Sequence, residues 1–101
     1  MKNINIDHSG GYTGLAAAII QQAAYDWLVA KLWLHRNPYT DNLDAWRRKE
    51  WHHRNKTVND IERYFRSDYY QLLADLPGED LLQQLNNILD EELSKCEQKN
   101  T

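Results

Sequence analysis

The sequence predicts an all-α fold, a compact bundle of three to four helices with an irregular N-terminal arm. Three observations predict it. Residues 14–35 are dominated by Ala, Leu and Gln, which are strong helix formers. Residues 81–93 carry leucine and isoleucine at three- and four-residue spacing, the mark of one buried helix face. Between them, Asn37-Pro38, Ser67 and Pro77-Gly78 punctuate the chain where helices stop and restart. The 101 residues suffice for one domain, and 42% hydrophobic with 27% charged residues is a globular rather than a disordered composition.

Residues 1–13 read as a flexible arm. Asn3–Asp7 has no partner strand, Gly10 and Gly11 form a joint, and Thr13 is placed to cap a helix. The first helix is predicted from about Gly14 to His35. Its stripe runs through Ile20, Ala24, Trp27 and Leu28, and its alanines allow close helix approach. Asp26 reads as a solvent-edge residue or the partner of a cation on the second helix. Pro38 ends the helix because proline disfavours helical backbone in the residue before it.

Thr40 or Asp41 is the expected cap of a second helix, with Leu43, Trp46, Val58, Ile61 and Phe65 on one face. Thr57-Val58-Asn59-Asp60 also resembles a helix start. The segment therefore reads as one long helix over about 41–66, kinked or not, or as two helices parted near Asn55. Ser67 caps a short helix that is expected to turn Tyr69, Leu72 and Leu73 inward. Pro77 suits the first turn of the last helix, and Glu79 and Asp80 suit its positive end. That helix is expected to fade after Leu93, leaving 14–95 as the helical domain and 96–101 as a polar tail. The predicted core is Ile20, Ala24, Trp27, Leu28, Leu43, Trp46, Ile61, Phe65, Tyr69, Leu72, Leu73, Leu81, Leu85, Ile88 and Leu89.

Charge is unevenly placed on a chain whose net charge is −3. Residues 46–74 hold seven Arg/Lys against four Asp/Glu, and residues 75–101 hold two against seven. The two segments either neutralise each other in the fold or present a basic face to nucleic acid and an acidic face to a basic partner. Cys96 is the single cysteine, which excludes an internal disulfide and suits a reducing cytosol. No apolar segment marks a signal peptide in MKNINIDHSGGYTG, and Gln21, Gln22, Asp26 and Lys31 make Leu15–Leu34 too polar to span a membrane. The expected location is the cytoplasm, with no membrane partner.

The chain carries few residues in patterns that mark chemistry. His52 and His53 are adjacent, so on a helix they point about 100° apart and do not form a metal pair. Ser67 is explained by capping, and neither it nor Cys96 stands in a nucleophile motif. Gly10–Gly14 lacks the Gly-Lys-Ser/Thr of a phosphate loop. No cofactor, metal or catalytic set is predicted. Two surfaces remain. Trp33, Trp46, Trp51 and Tyr39 (with Tyr12) exceed what a small core hides and are candidate partner-binding residues, or else pack between the first two helices. Arg47, Arg48, Lys49, His52, His53, Arg54 and Lys56 are candidate nucleic-acid contacts, with Trp51 available for stacking. The acids Asp90, Glu91, Glu92 and Glu97 are a solvated helix face or a phosphate mimic.

Phe65, Ser67, Tyr70, Leu73, Gly78, Glu79, Leu81, Leu82 and Leu85, with Ala23, Ala24, Asp26 and Trp27, carry a resemblance. The pattern resembles that of small helical proteins encoded by Gram-positive phages and integrative elements: an aromatic pair, a Ser, an aromatic, a Leu, an Asp-Gly-Glu turn and a Leu/Ile helix. It covers residues 16–34 and 60–90. Pro77 stands where Asp is usual, and the basic segment 46–57 is longer. The resemblance implies a mobile-element accessory protein and carries no activity with it. Small phage proteins of this kind include inhibitors of host defence, such as anti-CRISPR proteins. The expected function is therefore non-enzymatic binding to a host protein or nucleoprotein complex, inhibiting a host defence system. The alternatives are a nucleic-acid-binding regulator that uses residues 47–56 and a homo-oligomeric structural phage protein.

Overall fold

Alanine and leucine content carries the first helix, and asparagine and proline stop it. In the computed structural model, which describes residues 14–99, α1 spans Gly14–Arg36. The Asn37 amide and its side-chain Nδ2 both donate to the Trp33 carbonyl at 2.9 Å, closing the last turn before Pro38. His35 and Arg36 lie in that turn, where positive charge favours the helix C-terminus. The expected arm, Thr13 and Tyr12 lie outside the described residues.

The second helix, α2, spans Ala45–Phe65 and starts later than the sequence suggests. Its cap is Asp44, whose carboxylate accepts the Arg47 amide at 2.8 Å. Thr40 and Asp41 instead belong to a turn that the Leu43 amide closes on the Thr40 carbonyl at 3.3 Å. No break occurs near Asn55. Thr57 does not cap; its hydroxyl donates to the His53 carbonyl at 3.0 Å within a continuous helix.

Ser67 joins α2 to α3, Asp68–Leu73. Its hydroxyl donates to the Tyr64 carbonyl at 2.6 Å and accepts the Tyr70 amide at 3.1 Å, so one side chain closes one helix and opens the next. The inward residue of α3 is Tyr70, which is fully buried. Its ring packs on Phe65 and Tyr64, and its hydroxyl donates to the Leu76 carbonyl at 2.9 Å. That bond ties down the short link to α4, Gly78–Lys99. At Gly78 an added Cβ would lie 1.8 Å from the Phe65 carbonyl oxygen, so α4 begins in backbone contact with the end of α2. The polar residues Ser94–Lys99 include no helix breaker, and α4 runs through them, past the expected end at Leu93.

From this start, α4 lays Leu81, Leu82, Leu85 and Leu89 under Ile20, Ala24, Trp27 and Leu28 of α1, with Val58 and Phe65 of α2 completing the core. No polar residue is buried among the described residues. The Trp27 indole meets its need at the core edge, donating to Glu62 at 3.0 Å. Glu62 also faces Arg66, at 3.7 Å, and Arg66 reaches Glu79 of α4 at 2.5 Å. Three helices are thus linked by one polar chain at the rim. The other described ion pairs lie within a single helix, so the basic and acidic segments meet chiefly at Arg66–Glu79 rather than along their lengths.

The molecule measures 47 × 31 × 20 Å, so it is about two helices thick. Its radius of gyration, 15.2 Å, exceeds the roughly 13 Å usual for this length. Every helix keeps a wide solvent face, and three predicted core residues lie on one. Trp46 is 68% exposed, Tyr69 62% and Leu72 84%. Trp46 sits about 100° around α2 from Phe65 and in its first turn, away from the core meridian. Tyr69 and Leu72 lose the inward side of α3 to Tyr70 and Ala74. Leu43, Ile61, Leu73 and Ile88 are half-buried at the margin.

Gly78→Ala is expected to destabilise the protein by about 3 kcal/mol or more, since only backbone lies in the path of the methyl group. Ser67→Ala should cost about 1 kcal/mol, the worth of one cap. Urea unfolding of both variants measures this, and equal stabilities would refute the close approach. The Tyr64 hydroxyl is buried with no partner, and burial together with the neighbouring Tyr69 pushes its phenol above the usual tyrosine range. The neutral form is the one the fold accepts. Its contribution is therefore intact below the ordinary tyrosine pKa and is lost as pH rises through the raised value. Tyr64→Phe should leave stability unchanged at neutral pH or raise it by up to about 1 kcal/mol, and reduce the alkaline loss. Thermal melts across alkaline pH read both effects.

Candidate partner-binding surface

The basic run of α2 is sorted by helical geometry into three settings. Arg48 folds back along the first turn and donates to the Leu43 carbonyl at 2.9 Å. Arg54 lies on the inward edge, paired with Glu50 at 2.7 Å and with its guanidinium 5.5 Å from the Trp33 ring centroid. Lys49, His52, Lys56 and Arg63 lie opposite the buried Val58–Phe65 line, facing solvent. Arg47 and His53 are exposed between these groups. The run predicted as one nucleic-acid surface is thus divided, with Arg48 and Arg54 turned to structural partners. Lys56 meets Asp60 at 2.6 Å, and that bond, the largest cause, holds the Asp60 carboxyl below its usual range.

The predicted aromatics are divided as well. Tyr39, in the loop after α1, sets its ring edge-on to Trp51 at 5.0 Å, and Trp51 stands perpendicular to His52 at 5.3 Å. This cluster fixes the α1–α2 corner, so Trp51 is half-buried and packed rather than free to stack on a base. Trp46 stands out from the same end of α2. Trp33 lies apart from both, half-buried beneath Arg54.

Around Arg54 the helices leave a groove that the sequence reading did not identify. Two adjoining hollows of about 410 and 300 Å³ share Tyr25, Val29 and Arg54. Asp26, Glu50, His53 and Thr57 line one end, and Trp33, Arg36 and Glu92 the other. The signal was present in the sequence: Tyr25, Val29 and Trp33 recur every four residues along α1, beside the core stripe. Asp26 is exposed at the groove edge, and Gln22 rather than a cation donates to it, at 2.9 Å.

The outer face of α3 is the second feature missed. Tyr69 and Leu72, one turn apart, make an apolar projection with no covering element among the described residues. Among the described residues no group of three or more His, Cys, Asp or Glu side chains comes together as a metal would require. No described helix is long and apolar enough to cross a membrane. No protein-family model matches this chain, and neither a curated protein nor a solved structure does.

Arg54 and Lys56 give a direct contrast between a built and a solvated cation. Arg54→Ala removes a half-buried pair, a cation–π contact and the packing of its stem, and should cost about 1–2 kcal/mol. Lys56→Ala, at an exposed i, i+4 pair, should cost no more than about 0.5 kcal/mol. Urea denaturation of the two variants checks the order, and a reversed order would contradict the sorting of the run.

Proposed function

We propose that this protein is a non-enzymatic accessory protein of a phage or mobile element, which acts by binding a protein of the host and inhibiting a host defence system. The observation that carries the binding reading is the exposed pair on α3, Leu72 at 84% and Tyr69 at 62%. A six-residue helix that buries Tyr70 on one side and presents Tyr69 and Leu72 on the other has apolar residues on both faces, and only one is covered. Adjoining exposed apolar groups mark interaction sites, and tyrosine is among the residues that carry most binding energy at interfaces. The mobile-element and inhibitor parts of the reading come from the resemblance of residues 16–34 and 60–90.

Leu72→Asp and Tyr69→Ser test the reading, because neither side chain supports the core. Affinity capture from a Gram-positive lysate is expected to recover a partner in defined stoichiometry with the parent protein and to lose it with either variant. Capture should persist with Lys49→Ala. A partner retained by both α3 variants would remove the patch from the reading. Turnover of a nucleotide or nucleic acid that a groove substitution abolishes would overturn the non-enzymatic reading. Light scattering that shows concentration-dependent assembly, lost with Leu72→Asp, would assign the patch to a second copy and favour the structural alternative.

A further inference from the structure

We infer that the solvent face of α2 is a binding strip for single-stranded nucleic acid, gripping phosphates with Lys49, Lys56 and Arg63 and stacking a base on Trp46. This strip is separate from the α3 patch and does not depend on its partner. Lys49, Lys56 and Arg63 follow one another at seven-residue intervals, two helical turns each. They therefore form a line down the face opposite the core, about 21 Å long. Lys56 and Arg63 keep 76% and 80% of their side-chain surface in solvent. Trp46 is three residues before Lys49, one turn nearer the helix start and about 60° around from it, beside the upper end of the line, and is the most exposed aromatic ring among the described residues. His53 extends that edge and His52 flanks it, both exposed.

The disposition of the acids supports the same reading. Of the three acids in α2, Glu50 is turned to Arg54 in the groove and Glu62 to the Trp27 indole. Only Asp60 lies on the outer face, held between Lys56 and Arg63. Six of the twelve other acids lie on α4, so the net charge of −3 does not describe this face. Exposed pairs such as Lys56–Asp60 are weak, and a phosphate can take the place of the carboxylate. A straight basic line with an accessible ring at one end is the combination that holds a single strand: charge tracks the backbone and the ring accepts any base. A duplex keeps its bases stacked and has no use for Trp46.

Fluorescence anisotropy of a labelled thymidine oligonucleotide, titrated with the full chain over a series of salt concentrations, tests the inference. Three phosphate contacts predict a slope of log affinity against log salt of about −2. Lys49→Ala/Lys56→Ala/Arg63→Ala should weaken binding at least about tenfold and flatten the slope. Trp46→Ala should weaken it by roughly tenfold with the slope unchanged, and Trp46→Phe should retain most of the affinity. Asp60→Asn should tighten binding, an effect that non-specific loss of structure would not produce. Leu72→Asp should bind as the parent does, which separates this strip from the α3 patch. All these positions are exposed, and circular dichroism of each variant is the check that it is helical. No binding at low salt, a triple variant that binds like the parent, or a duplex bound as tightly as the single strand with Trp46→Ala silent would each overturn the inference.

Discussion

Gly78 lets the backbone of α4 start in contact with the Phe65 carbonyl, and the placement of the helices follows from that contact. A side chain of any size there would force α4 away from the end of α2. With the contact made, only two short links separate three helices, and each link is closed by one side chain. Ser67 bonds both neighbouring helices, and Tyr70 bonds the carbonyl of Leu76 just before α4. The leucine stripe of α4 then meets α1 at the depth where Trp27 lies, and the indole is left one outlet, Glu62. Backbone proximity, capping and a single buried aromatic are thus parts of one joint.

The same joint explains why the surface is generous. A two-layer arrangement with α3 as a short wedge cannot cover both sides of that wedge. Tyr70 and Ala74 take the inner side, and Tyr69 and Leu72 are left outside. At the other end, α2 outruns the core in its first turn, so Trp46 projects while Trp51, one and a half turns later, is held by Tyr39. Exposed apolar groups occur where the elements outreach their neighbours, and these are the places where a partner or a base has access.

Electrostatics divides the molecule by face rather than by segment. The basic run of α2 reads as a single block in one dimension, yet the helix turns it through all directions. Arg48 and Arg54 become structural, while Lys49, Lys56 and Arg63 form a solvent line. The acids of α2 are turned the other way, toward Arg54 and Trp27, apart from Asp60. The exposed pair of α3 and the basic line of α2 lie on different elements, so the two proposed contacts would not compete for one surface.

By itself, the sequence determined the all-α class, the end of α1 at Asn37-Pro38, the Ser67 cap and the leucine face of α4. Each is a local effect of propensity, capping or periodicity, and local effects are legible along a chain. The start of α2 was less so, because Thr40, Asp41 and Asp44 are all competent caps and the choice depends on where the loop lies. The groove at Arg54 and the solvent line on α2 needed helix–helix packing to define inside and outside. The register of α3 needed it most. Tyr69, Leu72 and Leu73 share the same three- and four-residue spacing as Tyr70, Leu73 and Ala74, offset by one position, and six residues are too few for periodicity to separate them. Tertiary structure chose the second set, because only Tyr70 can bury its ring against Phe65 and still give its hydroxyl to the Leu76 carbonyl. That choice, made by one hydrogen bond in the core, is what put Tyr69 and Leu72 on the surface.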